Sequence, residues 1–479
     1  MELVLMAIYM LIFFHIIFYL CKSLIQKRNR SCYLLHYECF KAADDRKLGI
    51  EENAKIILRN KNLGLEEYKF VLKTFGRSGM GQETYGPRSV IDGREENPTL
   101  IDALSDVDES IFTVLDNLFA KTGVSPSEID ILVVNLSLFS PAPSITSRVV
   151  NRYKMRDDVK TFNLSGMGCS ASVIAIDLVQ HLFNCYKNKL ALVVSAEAMV
   201  PHWYCGNKKS MMLPNCLFRS GGCSMLLTNN NALKHRAILK LKLAVRTHMG
   251  SDDEGYSCCI QDADDKGYEG FVLSKSLPRV GAKAMATNLR VLLPKVLPLT
   301  ELLRYVVSSL LANKISVRRS SGTSVTPANE YPGGGARLNL KTGIHHFCIH
   351  PGGKAVIEGI SKSLGLSEYD VEASKMALHR FGNTSVAGIW YVFAYLEAKE
   401  RLKKGDRILM IGLGAGFKCS NCVWEVMREL KGRENVWKDF IDKYPEASMV
   451  EDPVFQEYYQ KVVVEEDANF IRDVMLRSK

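Results

Sequence analysis

What is scarce in this 479-residue sequence narrows its class before any motif is read. Charged residues make up 24% and hydrophobic ones 47%, so the chain has neither the apolar poverty of a disordered segment nor the composition of collagen. Mean hydropathy is only −0.03, which excludes a multi-span membrane protein and leaves room for a single anchor. There is no HExxH and no GxGxxG, and the one CxxC, Cys419-Ser-Asn-Cys422, lacks the second pair that a structural zinc site needs. His346 and His350 do not make up the deficit, because four residues on a strand span about 13 Å; no metal is expected. No nucleic-acid-binding signature is present. The excess of 62 Lys and Arg over 52 Asp and Glu, a net +10, therefore points to an anionic ligand or an anionic membrane surface. Thirteen cysteines, odd in number and irregular in spacing, do not form a disulfide framework. Buried free thiols behave as small hydrophobes, and a reduced, cytosol-facing body is expected.

One long apolar run is present. Leu3 to Cys21 reads LVLMAIYMLIFFHIIFYLC, with His15 its only ionisable side chain. As a helix it would span about 28 Å, close to the bilayer core. Lys22, Lys27, Arg28 and Arg30 follow and would keep the remainder cytosolic. Glu2 and the absence of an A-x-A site disfavour a cleaved signal peptide. A transmembrane anchor over 1–21 is expected. The sequons at Asn135, Asn163 and Asn383 lie in or beside apolar runs and are read as unglycosylated.

The body alternates strand-like and helix-like segments, which predicts a layered α/β fold. The order recurs. ILVVNLSLF (131–139), a helix start at Cys169 and LALVVSAEAMV (190–200) are matched by HHFCIH (345–350), a helix start at Asn383 and RILMIGLG (407–414). Two related halves are expected: 96–311 with the cysteine and 344–435 with the histidine and asparagine. A basic extension (22–95) precedes them, a Ser/Gly/Arg-rich linker (312–343) joins them, and a tail (436–479) follows.

Cys169 follows a strand and a Gly-Met-Gly turn and opens an apolar helix. A helix N-terminus stabilises a thiolate, and its free N–H groups can hold an oxyanion. A buried structural cysteine at a crowded turn is the alternative. His350 sits at a strand end before Pro351-Gly-Gly353; Asn383 is either a helix cap or an amide donor aimed at a carbonyl. Gly412, Gly414 and Gly416 have GxGxG spacing, which suits a tight loop against an active site better than a nucleotide site.

The segments NLSGMGCSAS, HHFCIHPGGKAV, HRFGNTS and GLGAGFKC, with NLSLFSPAPS and LPNCLFRSGG, closely resemble the plant 3-ketoacyl-CoA synthases over roughly residues 31–435. These are the condensing enzymes of very-long-chain fatty acid elongation. The resemblance implies a thiolase-like fold of two duplicated α/β halves behind one N-terminal transmembrane helix. It also implies a Cys-His-Asn triad carried over by motif to Cys169, His350 and Asn383. His248 and His346 match further family histidines. The implied substrates are acyl-CoA and malonyl-CoA, with no cofactor. The implied setting is the endoplasmic reticulum membrane, as a homodimer among other elongation enzymes, with the catalytic body facing the cytosol. An imidazolium at His350 would stabilise the Cys169 thiolate. Two departures stand out: family members commonly carry two N-terminal hydrophobic segments, and the tail after Trp437 matches weakly.

Overall fold

The computed structural model describes residues 31–319, 338–430, 434–445 and 460–461, with seven positions between Met10 and Tyr19. The expected anchor therefore lies mostly outside the described residues. Among those described, no helix is long and apolar enough to cross a membrane.

Among the described residues there are eleven strands: β1 (Tyr33–Cys39), β2 (Ile131–Asn135), β3 (Lys160–Leu164), β4 (Leu190–Ala196), β5 (Gly222–Thr228), β6 (Leu239–His248), β7 (Cys259–Ala263), β8 (Glu269–Leu273), β9 (His346–Ile349), β10 (Arg407–Gly414) and β11 (Lys418–Val426). Nine form one sheet in the order β3-β2-β4-β5-β1-β6-β11-β10-β9; β7 and β8 make a separate hairpin. The runs ILVVN and GCSMLLT are buried at every position. That is the pattern of strands covered on both faces.

The pairing repeats. β2 is parallel to β4, β4 antiparallel to β5, and β5 antiparallel to β1. Likewise β9 is parallel to β10, β10 antiparallel to β11, and β11 antiparallel to β6. The helix Ala171–Cys185 enters β4, and the helix Gly388–Ala398 enters β10. Each lies between the strand sets: Ala171–Cys185 contacts β2, β4, β6 and β11, and Trp390 packs its ring against Tyr37 of β1 and Trp424 of β11.

The strand sets do not follow the expected boundaries. β1, in the expected extension, is a buried inner strand of the first set. β6, expected in the first half, belongs to the second. Only long-range pairing reveals this, because a buried strand looks the same in sequence whichever partner it finds. Residues 312–319 of the expected linker continue the helix Leu299–Arg319, Leu340–Thr342 form a 3₁₀ turn, and 320–337 lie outside the described residues. Trp437, in the expected tail, is fully buried. Its ring lies against Phe381, Tyr395 and Tyr444, and its Nε1 donates to the Tyr391 carbonyl at 3.0 Å. Cys419 and Cys422, three residues apart on β11, fall in the two core clusters on opposite faces. The CxxC therefore points its thiols away from each other. Asn135 and Asn383 are buried, with no room for a glycan.

Candidate active site

The helices Leu277–Val296 and Lys354–Leu364, the β7–β8 hairpin and the loops at the ends of β9 and β10 enclose a cavity of about 740 Å³. Cys169, His350 and Asn383 all line it. The sequence separates them by up to 214 positions, and the repeat unites them. Cys169 stands before the buried helix of the first set, Asn383 before that of the second, and His350 follows β9 directly.

Cys169 lies in a 3₁₀ turn, Gly168–Ser170, that leads into Ala171–Cys185. Gly168 has φ +66°, and a Cβ there would lie 2.1 Å from the Ala415 nitrogen and 2.8 Å from the Gly414 carbonyl carbon. Only glycine allows the cysteine turn to press on the loop after β10. Gly414 and Gly416 line the cavity. Gly412 instead faces Ser170 and the Ser420 carbonyl, one layer behind. His350 is held by its N–H to the Ile411 carbonyl (2.9 Å) and is 3% exposed; its Nδ1 has no partner among the described residues. Asn383 Nδ2 donates to the Gly352 carbonyl at 3.3 Å, and its Oδ1 accepts the Ser385 N–H at 2.9 Å.

Two polar residues that sequence reasoning missed complete the centre. Ser385 Oγ lies 3.5 Å from Cys169 Sγ and donates to Glu197 Oε2 at 2.9 Å. Glu197 Oε1 accepts the N–H groups of Ser137 (3.1 Å) and Leu138 (2.9 Å). Towards Cys169 the Ser385 hydroxyl lies within hydrogen-bond reach of the sulfur, with either atom able to donate. The available signal was an acid inside the apolar run LALVVSAEAMV, since an acid there needs partners. Ser385 also sits at φ +50°, a strained conformation for a non-glycine residue.

Electrostatics correct one expectation. Burial pushes the Cys169 thiol up to about 12, with the nearby Glu197 adding to the rise, and burial pulls His350 down to about 4. Burial therefore favours a neutral thiol at Cys169 and a neutral imidazole at His350 over a thiolate–imidazolium pair. In the low-dielectric pocket each group favours its uncharged form.

The other histidines separate. His248, at the end of β6, lines the cavity rim, and its Nδ1 accepts the Gly250 N–H at 3.0 Å. Lys418 faces it across the strand pair and is, among the described residues, the only Lys or Arg lining the cavity. His346 is not part of the site. It begins β9, at the end of the strand away from His350, and bonds Asp406 at 2.9 Å. Alternation along so short a strand could not separate the two roles, which depend on which strand end meets the cavity. Among the described residues no group of three or more His, Cys, Asp or Glu gathers as a metal site requires.

A family model described as FAE1/Type III polyketide synthase-like protein matches residues 24–315. Another, described as 3-oxoacyl-(acyl-carrier-protein) synthase III C terminal, matches residues 338–426. From Arabidopsis thaliana, 3-ketoacyl-CoA synthase 19 is 57% identical over 92% of this chain and 94% of its own length. The 3-ketoacyl-CoA synthase 12 of the same plant is 52% identical over 91% and 92%. The chain belongs to the 3-ketoacyl-CoA synthase family. It is thus a condensing acyltransferase. Solved structures show the same fold at low identity. The type III polyketide synthase domain of Steely1 from Dictyostelium gives a TM-score of 0.63 at 15% identity, covering 83% of this chain and 99% of that one. The fungal type III polyketide synthase ORAS gives 0.62 at 16%, covering 82% and 99%. On this thiolase-like frame the chain brings together a cysteine from one strand set with a histidine and an amide from the other.

Proposed function

We propose that this 3-ketoacyl-CoA synthase performs a decarboxylative condensation with Cys169 as acyl carrier and His350 and Asn383 as the enolate-stabilising pair. The observation that carries this is the meeting of the three residues in one largely apolar cavity. As acyl-CoA enters, His350 takes the Cys169 proton and the sulfur attacks the thioester carbon. The carbon–sulfur bond to CoA breaks, and CoA leaves with the proton. Malonyl-CoA then binds. Its bond to the carboxylate breaks and CO2 departs, leaving an enolate whose oxygen accepts hydrogen bonds from His350 and Asn383. Preorganised donors aimed at charge that develops late are worth most here. The enolate carbon attacks the acyl-Cys169 thioester and expels the Cys169 sulfur as a thiolate, which takes its proton from solvent. The product is a 3-oxoacyl-CoA two carbons longer.

No cofactor takes part in these steps. Lys418, its Nζ held by the Ala415 carbonyl at 2.7 Å, suits an anionic group of either CoA substrate. Glu197 and Ser385 position the cysteine turn. The apolar run Leu3–Cys21 with its basic flank supports anchoring in the endoplasmic reticulum membrane with a cytosolic body. A homodimer working beside the other elongation enzymes belongs to the same reading.

The test separates the half-reactions. Cys169→Ala is expected to abolish both labelling by radioactive acyl-CoA and product formation. Asn383→Ala is expected to keep labelling and lose malonyl-CoA decarboxylation. Elongation by Cys169→Ala at the wild-type rate would overturn the mechanism.

A further inference from the structure

Over Leu299–Leu310 the helix Leu299–Arg319 carries an apolar face that, among the described residues, stays exposed. Leu299, Leu303, Val306, Val307 and Leu310 are 56%, 56%, 50%, 55% and 59% exposed. At 100° per residue these five fall within one stripe about 100° wide. The opposite side is the one packed inward. Glu301 is buried, Leu302 packs on the core, and Glu301 accepts both the Arg304 guanidinium at 2.6 Å and the Asn339 N–H at 2.6 Å. The stripe is therefore presented outward by a fixed helix. Exposed aliphatic side chains in such a row mark an interaction surface.

Charge identifies the partner. Residues 277–319 contain eight Lys and Arg (279, 283, 290, 295, 304, 314, 318 and 319) and a single acid, Glu301. This one segment holds +7 of a chain whose net charge is +10. The acid is already paired, and the Arg279 and Lys283 side chains, 77% and 63% exposed, lie at the surface in ion pairs with Glu254 and Asp252. A basic helix with an apolar stripe is the pattern of an element lying in the plane of an anionic membrane, its apolar face in the acyl boundary and its cations on the headgroups. The preceding helix, Leu277–Val296, connects the stripe to the active site. Leu277, Ala282, Met285, Ala286 and Leu289 line the catalytic cavity, while Val291 is 46% exposed.

We infer that the exposed face of Leu299–Leu310 docks on an anionic bilayer surface, a second membrane contact besides the N-terminal segment. It holds the cavity-lining helix beside the lipid from which a long acyl chain enters. Only this last clause rests on the condensing-enzyme reading.

The test uses the full chain reconstituted in vesicles of phosphatidylcholine and phosphatidylserine. The native tryptophans are buried, so Leu303→Trp adds an exposed reporter. Brominated acyl chains in the vesicle are expected to quench its emission strongly, whereas Asp158→Trp, at a 76% exposed position beside the edge strand β3, is quenched several-fold less. Equal quenching of the two, or none of either, would overturn the docking. So would protection that depends on protein concentration and not on lipid, which would assign the stripe to a second copy of the chain. Leu303→Asp with Val307→Asp is expected to raise KM for membrane-partitioned long-chain acyl-CoA several-fold and leave KM for malonyl-CoA unchanged. If the Trp pair reports docking but this KM split is absent, docking stands and the entry route falls.

Discussion

Two glycines of one turn offer a controlled experiment on how the nucleophile is placed. Gly166 and Gly168 share φ +66°, yet a Cβ at Gly166 would meet nothing within 4 Å, whereas one at Gly168 would lie 2.1 Å from the Ala415 nitrogen. Alanine at either site meets the left-handed penalty of about 1–2 kcal/mol. At Gly168 it also falls about 1 Å short of tolerable separation from a backbone atom that cannot rotate away. The overpacking adds roughly 1–3 kcal/mol. Gly168→Ala should therefore be roughly 2–5 kcal/mol less stable than wild type, and Gly166→Ala roughly 1–2. In a chain this long each kcal/mol moves the melting temperature by only about 1 °C, so melting is the blunter assay. Acylation is sharper. Relieving the overlap pushes the Cys169 turn off the Gly414–Ala415 loop by about 1 Å, and such a displacement costs on the order of 100-fold in rate. Single-turnover labelling of Cys169 by radioactive acyl-CoA should fall by that order in Gly168→Ala and stay within a few-fold of wild type in Gly166→Ala. Equal labelling of the two variants would refute the claim that close packing of turn on loop places the sulfur.

Other outcomes follow from the same site and its surroundings. Glu197→Gln removes a negative charge that holds the Cys169 thiol up; iodoacetamide alkylation of Cys169 should then rise at lower pH than in wild type, and an unmoved profile would exclude electrostatic coupling. His350 is held near 4 by burial against about 6.5 when unfolded. As pH falls through that window the unfolded chain binds a proton that the folded one refuses, so stability drops, by roughly 2–3 kcal/mol at pH 4.5. Denaturant melts of His350→Gln should lack that part of the acid loss. Gly359 lines the cavity with open space where a Cβ would be, so Gly359→Leu should shift products toward shorter chains in a fatty-acid profile without loss of Cys169 labelling. Trp437→Ala removes a fully buried indole and its hydrogen bond to Tyr391, and should cost about 3–5 kcal/mol in denaturant titration.

The parts of this molecule legible in sequence are those written locally. β10 spans Arg407–Gly414, as its apolar run predicts, and the helix Leu100–Thr122 ends at the αL-capping Gly123. Cys169 announced itself through a glycine turn and a helix start. The repeat was visible as a recurring order of strand, helix start and strand, because both strand sets use the same kind of crossover. Features set by distant partners were not legible. Nothing in YLLHYEC says that it pairs with residues near 225 and 240, and nothing in NTS says that Ser385 bridges Glu197 to Cys169. The titration states escaped for the same reason. A histidine beside a cysteine suggests an ion pair until the depth of the pocket is known. Trp437 looked like part of an appendage because its neighbours Phe381 and Tyr395 belong to another region of the chain.

The placement of β1 between β5 and β6 has a consequence for how the molecule comes into being. β1 meets its neighbours only when residues about 200 positions later arrive, roughly 10–40 s at ordinary synthesis rates. Until then β1 has both edges open, because the strands that flank it, β5 and β6, are still to be made. The two strand sets are therefore related by ancestry of pattern without being separate units of folding. A cut between them would leave each fragment with an unsatisfied strand edge where the other should be.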